Sequence, residues 1–171
     1  MVSALDHSAN IHLKEVKKQL SDKVELTGIF DRSLGNPYVD ISSLAVMGFT
    51  DVINKLPFFL KLSRKMVELA ADADKVMLID SSGFNLPLAK KIRKQHPDKT
   101  MIYYILPQAW AWKKNRSAVL ERTIDSLASI LPFEPDCYPQ SAPIEYVGHP
   151  LLDEIPEFKQ GLGNTGKIAF M

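Results

Sequence analysis

The chemistry in this sequence can be read outward from Asp80, which ends the run Lys75-Val76-Met77-Leu78-Ile79 and opens Ser81-Ser82-Gly83-Phe84-Asn85. A short, fully apolar run such as residues 76–79 is the pattern of a strand buried on both faces. Open α/β sheets bind ligands at the carboxyl ends of their strands, so an acid there is a candidate catalytic group. It is equally suited to capping the loop or the helix that follows. Three more polar residues stand in comparable places. Gln108 follows an apolar strand at 100–106, Glu134 follows one at 127–131, and His149 follows one at 144–147. Polar groups at successive strand ends should gather along one edge, the usual form of a ligand cleft. Trp110 and Trp112 come just after Gln108. Two indoles at that edge either wall an acyl or sugar pocket or plug the core beneath the loop. Lys113, Lys114 and Arg116 then open a helix, where cations are unfavourable unless an anion is shared or water solvates them.

These groups need strands and helices to hold them, and the pattern supplies both. A short strand at 1–5 leads to a helix that Ser8 can cap, with Ala9, Leu13, Val16 and Leu20 as its apolar stripe. A second strand covers 24–30, Gly35-Asn36-Pro37 is a turn, and a third short strand covers 38–41. Residues 47–71 read as helical, with a break or kink at Pro57. On that projection Phe58, Leu62 and Leu69 form a second apolar face edged by Lys55, Lys61 and Lys65. Such a face suits an anionic membrane surface, although core packing is the commoner use of an amphipathic stripe. After Asp80 the pattern predicts a helix at 86–96, with Pro87 in its first turn. Strand and helix in alternation predict an α/β fold: a Rossmann-like parallel sheet with helices on both faces.

Composition and missing motifs narrow the function. At 171 residues, 46% hydrophobic and 24% charged, the chain fits one globular domain of ordinary size. A net charge of +1 offers no electrostatic footprint for nucleic acid. The single cysteine, Cys137, cannot form an internal disulfide, which suits a reducing compartment. The first ten residues lack a basic region followed by an apolar one, so no signal peptide is expected. The first loop, Leu5-Asp6-His7-Ser8-Ala9-Asn10, carries no G-x-G-x-x-G, which argues against a dinucleotide dehydrogenase. The chain has neither a P-loop nor a G-x-S-x-G elbow. His7, His12, His96 and His149 show no metal-ligand spacing with Cys137.

Several blocks taken together resemble one family. They are Leu44-Ala45-Val46-Met47-Gly48-Phe49, Ile79-Asp80-Ser81-Ser82-Gly83-Phe84-Asn85, Pro107-Gln108-Ala109-Trp110-Ala111-Trp112-Lys113, Leu131-Pro132-Phe133-Glu134 and Val147-Gly148-His149-Pro150-Leu151. In this order they resemble the amino-terminal half of the lipid-A-disaccharide synthase family, over about residues 2–155. The resemblance implies one half of a GT-B type two-domain glycosyltransferase. Residues 1–155 would be the amino-terminal acceptor-binding domain. Residues 156–171 would be a linker and the first strand of a carboxyl-terminal nucleotide-sugar domain. The implied reaction is an inverting transfer of 2,3-diacylglucosamine from its UDP form to 2,3-diacylglucosamine 1-phosphate. It uses no cofactor and runs at the cytoplasmic face of the inner membrane, with peripheral membrane contact. A homodimer of the full-length chain stays open, and this chain alone is expected to turn nothing over.

Residue by residue, the resemblance makes Asp80 the acid needed for activity, acting as base on the acceptor hydroxyl. It makes Asn85 and Gln108 orient sugar hydroxyls and Trp110 and Trp112 wall the pocket, with Ser8, Asn10, Glu134 and His149 as further substrate-side groups. Met47 becomes a substrate-binding or acyl contact, and Phe58 and Leu62 become membrane or acyl contacts. The first loop departs from the family's Gly-Glu-x-Ser-Gly-Asp pattern: Ser8 is kept, Asp6 is a shorter acid, Asn10 replaces an acid and both glycines are lost. Two alternatives stand beside this reading. One is a non-enzymatic α/β module that docks a partner or a membrane through the Phe58 and Leu62 face. The other is a different GT-B type enzyme that uses a UDP-sugar.

Overall fold

Runs of apolar side chains a few residues long become strands, and amphipathic stretches between them become helices. The computed structural model describes residues 1–20, 23–46, 56–108 and 115–152. Within these, the strands are β1 (Val2–Ala4), β2 (Gly28–Phe30), β3 (Val39–Asp40), β4 (Lys75–Ile79), β5 (Thr100–Tyr104), β6 (Ser126–Ser129) and β7 (Ile144–Tyr146). The α-helices are α1 (His7–Gln19), α2 (Ile41–Val46), α3 (Leu56–Asp72), α4 (Ser82–Gln95) and α5 (Asn115–Thr123).

The described strands make one seven-stranded sheet in the order β3-β2-β1-β4-β5-β6-β7, with every pairing parallel. The chain builds outward from β1 to β3, then returns to β1's other side to begin β4. That reversal makes the β1/β4 boundary the topological switch point, where crossing connections diverge and leave a crevice. The register aligns the rim: Ala4 lies opposite Ile79, and Ile79 opposite Tyr104. The residues just beyond these three strands therefore emerge side by side.

Alternation along β1 and β4 sends side chains to two cores. Val76 and Leu78 face a cluster with Leu62, Met66, Val67 and Ala70 of α3, Leu88 and Ile92 of α4 and Leu120 of α5. Val2, Ala4 and Ile79 face the other side, with Ala9 and Leu13 of α1. Each fully buried Leu or Ile contributes about 1.5–3 kcal/mol. Close approach of β1 and β2 depends on Gly28, whose φ is +123° and where an added Cβ would stand 2.1 Å from the Val2 carbonyl oxygen. No described helix is long and apolar enough to cross a membrane.

The expected α/β architecture is present, with several local corrections. The cap of α1 is Asp6, whose carboxylate accepts from the Ala9 N–H at 2.8 Å; Ser8 lies inside the helix. Helix α4 starts at Ser82, so Pro87 lies in its interior, exposed, at the loss of one backbone hydrogen bond. Pro57 is the second residue of α3. Leu62 is 3% exposed and belongs to the core, whereas Leu56 and Leu60 are exposed. The helical phase observed for α3 therefore turns Leu62 inward and takes it out of any membrane-facing surface. Phe58 is half-buried and meets Phe59 edge-on, with ring centroids 5.5 Å apart.

Candidate functional site

The site is assembled where β1, β4 and β5 end together. Asp80 is the first residue after β4 and is half-buried. It and its neighbour Ser81 are both left-handed, with φ of 47° and 40°. Neither is glycine, so each costs roughly 1–2 kcal/mol in backbone strain. Ile105, just past β5, has φ 62°. Strained residues thus follow two adjacent strands at the same rim.

Asp6 comes from the neighbouring loop after β1. Its carboxylate accepts from the Ser81 hydroxyl at 2.6 Å, the Ala9 N–H at 2.8 Å and the Ser8 hydroxyl at 2.7 Å. Burial alone would raise its pKa, but the three donors more than offset that, and with His12 nearby the carboxyl lies below its ordinary value. Asp80 is shifted the other way. Burial pushes its carboxyl up, the Asp6 charge pushes it further, and the Ser81 N–H and His12 only partly oppose them. Two carboxylates are therefore separated electrostatically: one is held ionised by donors, and the other binds a proton more tightly than a free aspartate. That is the condition for dividing structural and proton-accepting roles between neighbouring acids.

The other expected site residues divide into those at the rim and those committed to the fold. Gln108 is exposed shortly after β5, and His149 is half-buried shortly after β7. Ser8 is exposed beside Asp6. Asn10 is 5% exposed, and its carboxamide donates to the Ala4 and Asp6 carbonyls at 2.9 and 2.7 Å while accepting from the Asp31 N–H at 2.7 Å. It ties the ends of β1 and β2 and has little left to offer a ligand. Asn85 is completely buried: it accepts from the Ser3 hydroxyl at 2.7 Å and donates to the Ile79 and Asp80 carbonyls at 3.1 and 2.9 Å. An amide so occupied cannot orient a sugar hydroxyl directly. Glu134 is 2% exposed and accepts from the Ser129 hydroxyl, bracing its own loop after β6. In this structure these three residues support the rim loops, and the chain itself takes their hydrogen bonds. Met47, Trp110 and Trp112 lie outside the described residues.

Sequence reasoning overlooked Ser3, Ser81 and Tyr103. Ser3 is the polar exception in an apolar strand, and the Tyr103 ring is buried within β5. A buried hydroxyl needs a partner, and this was the available signal. Tyr103 donates to the Asp80 carbonyl at 2.6 Å. Among the described residues, no three His, Cys, Asp or Glu side chains are grouped to hold a metal ion.

Asp80, the acid singled out by the sequence resemblance, stands at the switch point of the parallel sheet. The family model for lipid-A-disaccharide synthetase matches residues 1–168. The chain belongs to this family. It is 50% identical over 172 aligned residues to the lipid-A-disaccharide synthase of Helicobacter pylori strain HPAG1, covering 100% of this chain and 46% of that protein. Identity to the Helicobacter acinonychis strain Sheeba synthase is 49% over 172 residues, with the same coverage of 100% and 46%. The Campylobacter jejuni strain RM1221 synthase is 43% identical over 174 residues, covering 93% of this chain and 46% of that protein. The chain spans about half the length of the curated relatives it matches.

Proposed function

We propose that this chain is the acceptor-binding half of an inverting, GT-B type glycosyltransferase of lipid A biosynthesis. The full protein joins UDP-2,3-diacylglucosamine to 2,3-diacylglucosamine 1-phosphate, giving the lipid A disaccharide 1-phosphate and UDP. The observation that carries this reading is the family match across residues 1–168. The neighbourhood of Asp80 supports it from the chemical side. In the proposed step Asp80 accepts the proton of the acceptor hydroxyl as its oxygen bonds to the donor's anomeric carbon. The bond from that carbon to UDP breaks on the opposite face, its electron pair leaves with UDP, and the configuration inverts. A raised proton affinity strengthens Asp80 as a base, and its half-exposed position leaves it within reach of a hydroxyl.

In this reading residues 1–155 hold the acceptor, and 156–171 lead into a carboxyl-terminal domain that grips UDP. Gln108 and His149 contact the acceptor's polar groups, Trp110 and Trp112 wall the sugar, and Met47 and Phe58 meet acyl chains. No cofactor takes part. The enzyme works in the cytoplasm, in peripheral contact with the inner membrane that holds its diacylated substrates. The test is a transferase assay with both diacylated sugars on the full-length chain. Asp80→Ala is expected to lower turnover by about a thousandfold in a folded protein, the scale of losing a general base. Parental turnover in that variant would remove Asp80 from the base role. No transfer by the parent protein would overturn the reading as a whole.

A further inference from the structure

A carboxylate can act as a base only while it points at its substrate, and at Asp80 the backbone conformation works against that. Two successive left-handed residues without glycine persist only where the surroundings hold them. The holding groups can be named. The peptide plane before Asp80 is fixed at both faces: the Ile79 carbonyl accepts from the Asn85 carboxamide at 3.1 Å, and the Asp80 N–H donates to the Tyr104 carbonyl at 3.0 Å. The plane after it is fixed at the Asp80 carbonyl, which accepts from Asn85 at 2.9 Å and from the Tyr103 hydroxyl at 2.6 Å. Fixing both planes fixes the φ and ψ of Asp80. Only side-chain rotation then remains to Asp80.

The clamp is itself rigid. Asn85 is completely buried, and the buried Ser3 hydroxyl holds its carbonyl oxygen at 2.7 Å. The Tyr103 ring is completely buried in the sheet. The turn they fix also presents the Ser81 hydroxyl to Asp6 at 2.6 Å, linking the two rim loops. Among the described residues, the titratable groups that act on the Asp80 carboxylate are Asp6 from the loop after β1 and His12 from α1.

The geometry points to Asn85 and Tyr103 as positioning residues that lock both peptide planes around Asp80 and so aim its carboxylate at the crevice between β1 and β4. This rests on the proposed role of Asp80 as base and explains how a strained turn can deliver it. Loosening the clamp lets the turn relax toward ordinary φ, which moves the carboxylate away from Asp6 and into water. Both changes remove what raises its proton affinity, so the acidic limb of turnover moves to lower pH while turnover falls. Acceptor contacts elsewhere on the rim are untouched, so KM stays nearly constant.

The experiment compares Tyr103→Phe, Asn85→Ala and Asp80→Asn in the full-length chain, by kcat, acceptor KM, the pH profile of kcat and thermal unfolding. Tyr103→Phe keeps the core ring and removes one hydrogen bond, so the expected loss in kcat is about tenfold, with KM within about twofold. Its acidic limb should move down, and Asn85→Ala should lose more. If Asn85→Ala does not fold, Tyr103→Phe alone decides. Parental kcat in Tyr103→Phe overturns the proposal, and so does a lower kcat with an unmoved acidic limb. If Asp80→Asn is inactive while Tyr103→Phe is parental, the base survives and the clamp is rejected. If Asp80→Asn is itself fully active, the base reading fails, and the clamp's purpose fails with it.

Discussion

Asp80 and Glu134 are both acids that follow strands of one parallel sheet, and the fold uses them in opposite ways. Asp80 comes directly after β4, is half-buried, and stands beside a second carboxylate at the switch point. Glu134 comes five residues after β6 ends, after the chain has folded back, and is 2% exposed against the Ser129 hydroxyl. A strand-end position therefore only brings a group to the rim. Loop length then decides whether its charge faces solvent or satisfies the loop. A short turn cannot bury its own acid; a longer one can return and use it as a brace.

The contrast can be broken most sharply by activity per folded molecule. Asp80→Ala should lose about a thousandfold in turnover, whereas Glu134→Ala should stay within about threefold of the parent at a temperature where it remains folded. A large loss of turnover in folded Glu134→Ala would return that residue to the substrate.

Stability should order the two acids the other way. Glu134→Ala removes one of the two acceptors of the buried Ser129 hydroxyl, leaves it the Leu131 carbonyl at 3.0 Å, and opens a void, so it should cost about 1–2 kcal/mol by denaturant unfolding. An unchanged unfolding midpoint would show that the loop does not depend on it.

Asp6→Ala is expected to have a smaller effect, about 1 kcal/mol at neutral pH, through loss of the α1 cap. Its carboxyl is held below the ordinary value, so its contribution is present above the ordinary carboxylate pKa and fades as pH falls through the depressed one. The Asp6→Ala deficit should therefore shrink in acid, and a deficit constant with pH would assign it to packing alone.

The smallest effect has the opposite sign. Asp80 is raised by burial and then by Asp6, so its ionisation opposes folding. Its stabilising contribution is complete below the ordinary carboxyl pKa and is lost as pH rises through the raised value. Asp80→Asn should melt slightly above the parent at pH 7, and the two should converge below about pH 4, where both side chains are neutral. A lower melting point at pH 7 would mean that the charge stabilises the turn.

Much of this was legible beforehand, in an uneven way. The apolar run at 76–79 and its end at Asp80 were plain, because hydrophobic periodicity is a local property. The start of α4 was misjudged because Pro87 reads as a first-turn residue, although the left-handed Ser81 begins the helix earlier. Leu62 was set apart from the core stripe of α3 because the stripe was drawn too narrowly: Leu62, Ser63, Met66, Val67 and Ala70 are buried together, and Phe58 is half-buried at its edge. The buried amides of Asn10 and Asn85 were read as ligand groups because sequence gives a side chain's chemistry and says nothing of its exposure.

By itself, the sequence determined the alternation of strand and helix, the family, and the acid that follows β4. All of these are written in contiguous residues, where spacing along the chain is spacing in space. Only the tertiary structure decided that Asp6 would face Asp80, that Ser3 and Tyr103 would reach the same turn, and that Glu134 would be hidden. Those outcomes depend on which strands pair: Ser3 and Asn85 meet across 82 residues of chain, and Asp6 and Ser81 across 75. Their meeting follows from the return of the chain to the far side of β1, a choice made by the packing of two cores at once.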